Sequence, residues 1–108
     1  MSGSGGGSYV APQRNKFDCD KTTLTTTVSS IDIMVLKKHQ VRDVLEVMLS
    51  SSETLILEDR NGEILGTILH LNTVDIIECI KNGTSYTAEI KSINSPACIV
   101  YIQKKQND

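Results

Sequence analysis

A chain of 108 residues suits one domain of ordinary size and leaves no room for two full cores. Hydrophobic residues at 39% and charged residues at 22% place it among globular proteins, and no apolar run reaches the length of a bilayer-spanning helix. The formal net charge is −2, with six basic against ten acidic residues between Ile31 and Ile102. That balance argues against a large duplex nucleic-acid footprint, which rests on neutralising phosphates.

Residues 1–8 hold four of the seven glycines together with three serines, the composition of a flexible linker. Residues 9–20, "YVAPQRNKFDCD", lack periodicity and read as a loose arm, pinned at most by Tyr9 or Phe17. The expected domain runs from 21 to 103, followed by a polar tail at 104–108. The N-terminus lacks the apolar centre of a secretory signal, so a soluble intracellular protein, cytoplasmic or nuclear, is expected. Cys19, Cys79 and Cys98 are odd in number and include no Cys-x-x-Cys pair, a poor disulfide framework that fits a reducing compartment.

From Lys21, "KTTLTTTVSSIDIMVL" is rich in β-branched residues and predicts one long strand or two short ones. "QVRDVLEVML" fits two templates. Val41, Val44, Leu45, Met48 and Leu49 share a helical face, while Leu45, Val47 and Leu49 also alternate as a strand would. The five-position match favours a helix ending at Ser50–Ser52.

"ETLILEDRNGEILGTIL" is the clearest element. Asn61-Gly62 between two alternating runs predicts a tight hairpin with a type I′ turn, pairing Arg60 with Glu63, Asp59 with Ile64 and Leu57 with Gly66. Leu55, Leu57, Ile64 and Ile68 are then the core face, with Ile56 and Leu65 opposite. "LNTVDIIECIKNG" predicts a short helix capped by Asn72 or Thr73, with Asp75 in the first turn, Lys81 in the last and Gly83 beyond. Its expected buried stripe is Val74, Ile77 and Ile80, with Ile76 beside them. "SYTAEIKSI" alternates with Tyr86, Ala88 and Ile90 inward, and "PACIVYIQKK" supplies a last strand with Pro96 at its start. The expected fold is α+β: a small, mostly antiparallel sheet or partly open barrel of five or six strands with one or two short helices.

Candidates for chemistry are few. His39 sits in a polar run and His70 after the hairpin, each outside any catalytic motif, and Cys79 and Cys98 read as small buried apolar residues. A zinc site needs three or four clustered ligands, whereas the cysteines and histidines here are scattered. The Asp18-Cys19-Asp20 pair of carboxylates reads as solvated. With no phosphate loop, dinucleotide fingerprint, nucleophile elbow or calcium loop, the expectation is no metal, no cofactor and no enzyme.

In hydrophobic pattern, residues 54–102, "LILEDRNGEILGTIL" then "VDIIECIKNG", "YTAEIKSI" and "CIVYIQ", resemble the HIRAN domain. That resemblance implies a β-rich module that binds single-stranded DNA ends. The loop that precedes the hairpin in that family, an Asn-Pro-Tyr-Asp-like signature, is replaced here by "SSSETLIL", so no binding residue carries over. "VRDVLEVMLSSSETLILEDRNGEILGTIL" also looks like half of a CBS domain, a family that binds adenosyl nucleotides between paired repeats; here one copy is visible.

Two binding readings follow. The first is a non-catalytic module with a protein partner or a second copy of itself, using Val47, Ile56, Leu65 and Ile76, or the threonine-rich edge strand. The second is a single-stranded DNA site in which Lys37, Lys38 and Arg42 lie near Tyr86 or Tyr101.

Overall fold

The structure is a computed structural model that describes residues 17–106. The glycine-serine linker at 1–8, most of the arm after it, and the last two residues lie outside that range. Among the described residues the elements run β1 (Leu24–Thr27), α1 (Ile33–Leu36), β2 (Val44–Leu49), β3 (Leu55–Glu58), β4 (Ile64–Ile68), α2 (Thr73–Lys81), β5 (Tyr86–Asn94) and β6 (Ala97–Lys104). The six strands form one antiparallel sheet in the order β1-β6-β5-β2-β3-β4. This is the small α+β fold expected from the sequence.

The sheet is curled, and the chain itself nearly closes it. Beyond β1, which pairs with β6, residues 28–32 cross to the opposite edge and bond to β4. The Val28 amide donates to the Cys98 carbonyl at 2.9 Å, Ser29 and Thr67 exchange two backbone hydrogen bonds at 2.8 Å each, and the Asp32 amide donates to the Leu65 carbonyl at 2.8 Å. Edge groups that would otherwise stand unpaired are thereby satisfied. The crossing passes so close to β4 that a Cβ at Gly66 would lie 2.6 Å from both the Ser29 carbonyl oxygen and Val28 Cγ1. Only glycine fits beneath it.

Alternation builds the core. Leu24, Ile102, Ala88 and Leu45 form one inward row across β1, β6, β5 and β2, and Tyr86, Val47 and Leu57 form a second that ends at Gly66. Leu49 opposite Leu55, and Leu55 opposite Ile68, complete the far end. Burying each leucine, isoleucine or valine of these rows stabilises the fold by about 1.5–3 kcal/mol. The helices cover the inner face with Val35 and Leu36 of α1 and with Ile76 and Cys79 of α2. α1 is one turn long, and the Asp32 carboxylate caps it by accepting from the Met34 and Val35 amides. α2 ends in a Schellman motif at Gly83 (φ +103°), where the Thr84 amide bonds the Cys79 carbonyl and the Gly83 amide the Ile80 carbonyl.

Several expectations change. Residues 44–49 are a strand, not a helix: Leu45 and Val47 point inward, and the strand is paired on both sides, so Val41, Val44 and Met48 of the supposed helical face are exposed. The β-rich reading of "KTTLTTTVSSIDIMVL" holds for β1 only, because Asp32 starts a helical turn. In the hairpin, Leu57 does pair with Gly66, but Asp59 faces Glu63 across a three-residue loop, and only Gly62 has positive φ (+82°). The turn is therefore not type I′, and Arg60 does not pair with Glu63. A bulge opposite Leu57/Glu58 absorbs the slip, which sends Leu65 inward and leaves Ile64 exposed. α2 is rotated relative to the predicted stripe: Ile76 and Cys79 are buried, Ile77 and Ile80 flank them, and Val74 is exposed.

The cysteines are the largest correction. Cys19 and Cys79, 60 positions apart, form a disulfide with a Cα–Cα distance of 5.7 Å, while Cys98 is free and buried. Parity describes the set of cysteines, and the fold chooses the pair by laying the segment before β1 against α2. In the chain-entropy account, closing a loop of this size stabilises the folded state by about 4 kcal/mol.

Gly66→Ala is expected to lower stability by about 3 kcal/mol or more in urea unfolding, because backbone and Val28 must both move. Gly62→Ala, with open space around it, is expected to lose only about 1 kcal/mol for its positive φ. Equal losses would show that the crossing does not constrain β4.

Candidate functional site

A polar concavity lies between the loop after α1 and the β3–β4 turn, a shallow depression of about 490 Å³ lined by Lys38, His39, Arg42, Asp43, Val44, Asp59, Arg60 and Asn61. At its base is His39, whose side chain is 14% exposed. Nδ1 lies 2.8 Å from Asp43 Oδ2 and Nε2 lies 3.0 Å from Asp59 Oδ2. The Asp59 side chain is 3% exposed, and its second oxygen accepts the Asn61 and Glu63 amides at 2.9 Å each. Asp43 also accepts the Gln40 amide at 3.2 Å. One imidazole thus ties the α1–β2 loop to the hairpin turn.

A carboxylate only accepts, so each contact requires an N–H on the ring, and His39 satisfies both as imidazolium. Burial pulls the ring toward its neutral form, but the hydrogen bonds it donates to Asp43 and Asp59, with the charges of those carboxylates, outweigh burial and raise its pKa. Asp43 is lowered chiefly by its bond to His39. Asp59 is lowered first by the Glu63 amide and then, against its burial, by His39. At the rim, Lys38 Nζ holds both oxygens of Glu63 at 2.8 and 2.9 Å.

This meets the geometric condition that an enzyme reading sets, a histidine against a carboxylate, yet both ring nitrogens are already committed. A general base or metal ligand needs a nitrogen free to meet its target. What the arrangement does chemically is hold two loops through charge-assisted bonds. Among the described residues, no group of three His, Cys, Asp or Glu is placed to hold a metal ion. His70 serves its own loop, its Nδ1 accepting the Asn72 amide at 3.1 Å. The sequence pattern offers no signal for this cluster: His39 stands in a polar run, and the hairpin expectation assigns Asp59 to Ile64.

The other predicted residues are dispersed. Tyr86 is buried, and its hydroxyl donates to the Cys19 carbonyl at 2.9 Å. Tyr101 is half-buried, with Lys91 Nζ 5.4 Å from its ring centroid. Lys37, Lys38 and Arg42 are exposed, with Lys38 bound to Glu63, while buried Tyr86 offers no ring face for stacking. Val47, Leu65 and Ile76 lie in the core and offer no surface, and Ile56 is half-buried on the outer face of the sheet opposite Met48.

Sequence reasoning passed over the loop between β4 and α2. Leu69, Leu71 and Val74 are 66%, 91% and 69% exposed, and Leu69, His70, Leu71 and Thr73 line an open, mostly apolar depression. Reading Val74 as core hid it. No protein-family profile, curated protein or solved structure matches the chain. No helix among the described residues is long and apolar enough to cross a membrane.

The His39 clasp predicts a pH dependence. A raised histidine pKa contributes stability that is complete below the unfolded value and is lost as pH rises through the folded one; the lowered Asp43 and Asp59 lose theirs only as pH falls in the acid range. Unfolding free energies from urea titrations are expected to fall from about pH 6.5 upward, with a slope of up to about 1.4 kcal/mol per pH unit. His39→Gln should abolish that slope. A flat wild-type profile between neutral and mildly alkaline pH would exclude the clasp.

Proposed function

We propose that the chain is a non-catalytic binding module whose partner is a protein, engaged through Leu69, Leu71 and Val74. The observation that carries this reading is the exposure of three large apolar side chains within six residues, Leu71 almost wholly in solvent. Other apolar side chains, Met34 and Val44 among them, are also exposed, but these three are close in sequence and Leu71 is the most exposed of all, so leaving them outside forgoes burial that a partner would supply. Leu69 and Leu71 stand on a short loop, and Val74 in the first turn of α2, joined by hydrogen bonds: Thr73 Oγ1 accepts the His70 amide at 2.9 Å, and the His70 carbonyl accepts the Thr73 amide at 3.0 Å. A preorganised loop loses little entropy on binding. A second copy of the chain is the simplest partner of this chemistry.

The first test is sedimentation velocity over a wide range of protein concentration, with Leu71→Glu as the comparison. Self-association that Leu71→Glu weakens about ten- to hundredfold, the loss expected for one buried leucine, supports the reading. Where the protein stays monomeric, a photo-crosslinker at position 71 should capture a partner that the same probe at exposed Thr25 does not. Equal capture at both sites, or salt-sensitive binding of a single-stranded oligonucleotide with a free 3′ end that Leu71→Glu leaves unchanged, would replace it with the nucleic-acid reading.

A further inference from the structure

The segment ahead of β1 is fastened to the barrel by contacts of very different strength. Cys19 is bonded to Cys79 on the buried side of α2. The Tyr86 hydroxyl donates to the Cys19 carbonyl, and burial, reinforced by the charges of Asp20 and Asp18, pushes its pKa up to about 12. Lys104 Nζ meets Asp20 Oδ1 at 2.8 Å, an exposed pair that contributes little. Phe17 packs at the margin of the core. Between these points the segment is a local turn, with the Lys21 and Thr22 amides on the Asp18 carbonyl and the Asp18 amide on Thr22 Oγ1.

The ladders of the sheet begin at Leu24, after this turn, the closing bridge uses residues 28–32, and α2 also packs Ile76, Ile77 and Ile80 into the core beside Cys79. Cys19 is half-buried, so the bond can be approached from that side, whereas Cys98 is fully buried with its pKa pushed up by burial, and is withheld from exchange.

We propose that the Cys19–Cys79 disulfide is a redox-operated latch that holds residues 17–22 over α2 and the Tyr86 hydroxyl, and that its reduction frees this strap while the barrel stays folded. This goes beyond the binding reading and does not rest on it. Closing the latch converts two thiols to one disulfide; the two electrons and two protons pass to a small-molecule disulfide such as oxidised glutathione, which becomes two thiols. Opening reverses this. An external thiolate attacks Cys19 Sγ, Cys79 leaves as a thiolate and takes up a proton, and a second external thiol releases Cys19.

The full chain, equilibrated with oxidised glutathione and then unfolded without reductant, should alkylate at one cysteine, and at all three after reduction. Hydrogen exchange decides the rest. In the oxidised form the Lys21 and Thr22 amides should be protected; on reduction, or in Cys19→Ser, they should exchange about a hundredfold faster, while Val28 and Ile90 in the barrel keep their protection. Three alkylated cysteines under oxidising conditions would overturn the proposal. So would strap amides that do not respond to reduction, or barrel amides that lose protection together with the strap.

Discussion

Everything in this fold depends on the passage of residues 28–32 across β4. An antiparallel sheet of six short strands would leave two open edges, and its inner face would need more cover than two helices of four and nine residues can give. By pairing first with β6 and then with β4, one stretch of chain serves both edges and draws the sheet round on itself. Gly66 permits the approach, and Asp32 ends it by bonding Leu65 and capping α1. Closure, helix placement and the start of the loop that carries His39 are consequences of that single crossing.

Legibility in the sequence followed the range of the interactions. Where neighbours within a few residues settle conformation, as in the Schellman end of α2 at Gly83 or the alternation of Tyr86, Ala88 and Ile90, the pattern is plain; the expected side-chain cap does not form, since Asn72 makes no capping bond and the Thr73 hydroxyl accepts the His70 amide. Residues 44–49 fit a helical face and a strand about equally, and what settles them is pairing with β3 and β5, partners distant in sequence. The exchange of Ile64 and Leu65 has a more local origin. The Asp59 carboxylate gathers the Asn61 and Glu63 amides, which lengthens the loop by one residue and obliges β4 to bulge. A pairing scheme built on Asn-Gly alone has no place for a side chain that competes for the turn's own amides.

The polar cluster illustrates the same limit. His39 and Asp43 lie four residues apart in one loop, and Asp59 reaches them only through the hairpin. Once assembled, the three groups neutralise one another's need for partners. Functional interest thereby shifts from the acid–base residues to the apolar loop, where exposed Leu69 and Leu71 flank His70, whose amide and carbonyl are both bonded to Thr73.

The pairing of β1 with β6 has a topological result. Leu24 lies directly opposite Ile102, so the first and last strands run side by side, and the chain enters and leaves the barrel at neighbouring points. A unit of this kind can be spliced into a surface loop of another protein, or be joined head to tail and reopened elsewhere, with little closure entropy to overcome. The exposed Ser51–Ser52–Glu53 turn between β2 and β3 is the natural place for new ends, since neither the crossing at Gly66 nor the His39 cluster would be cut.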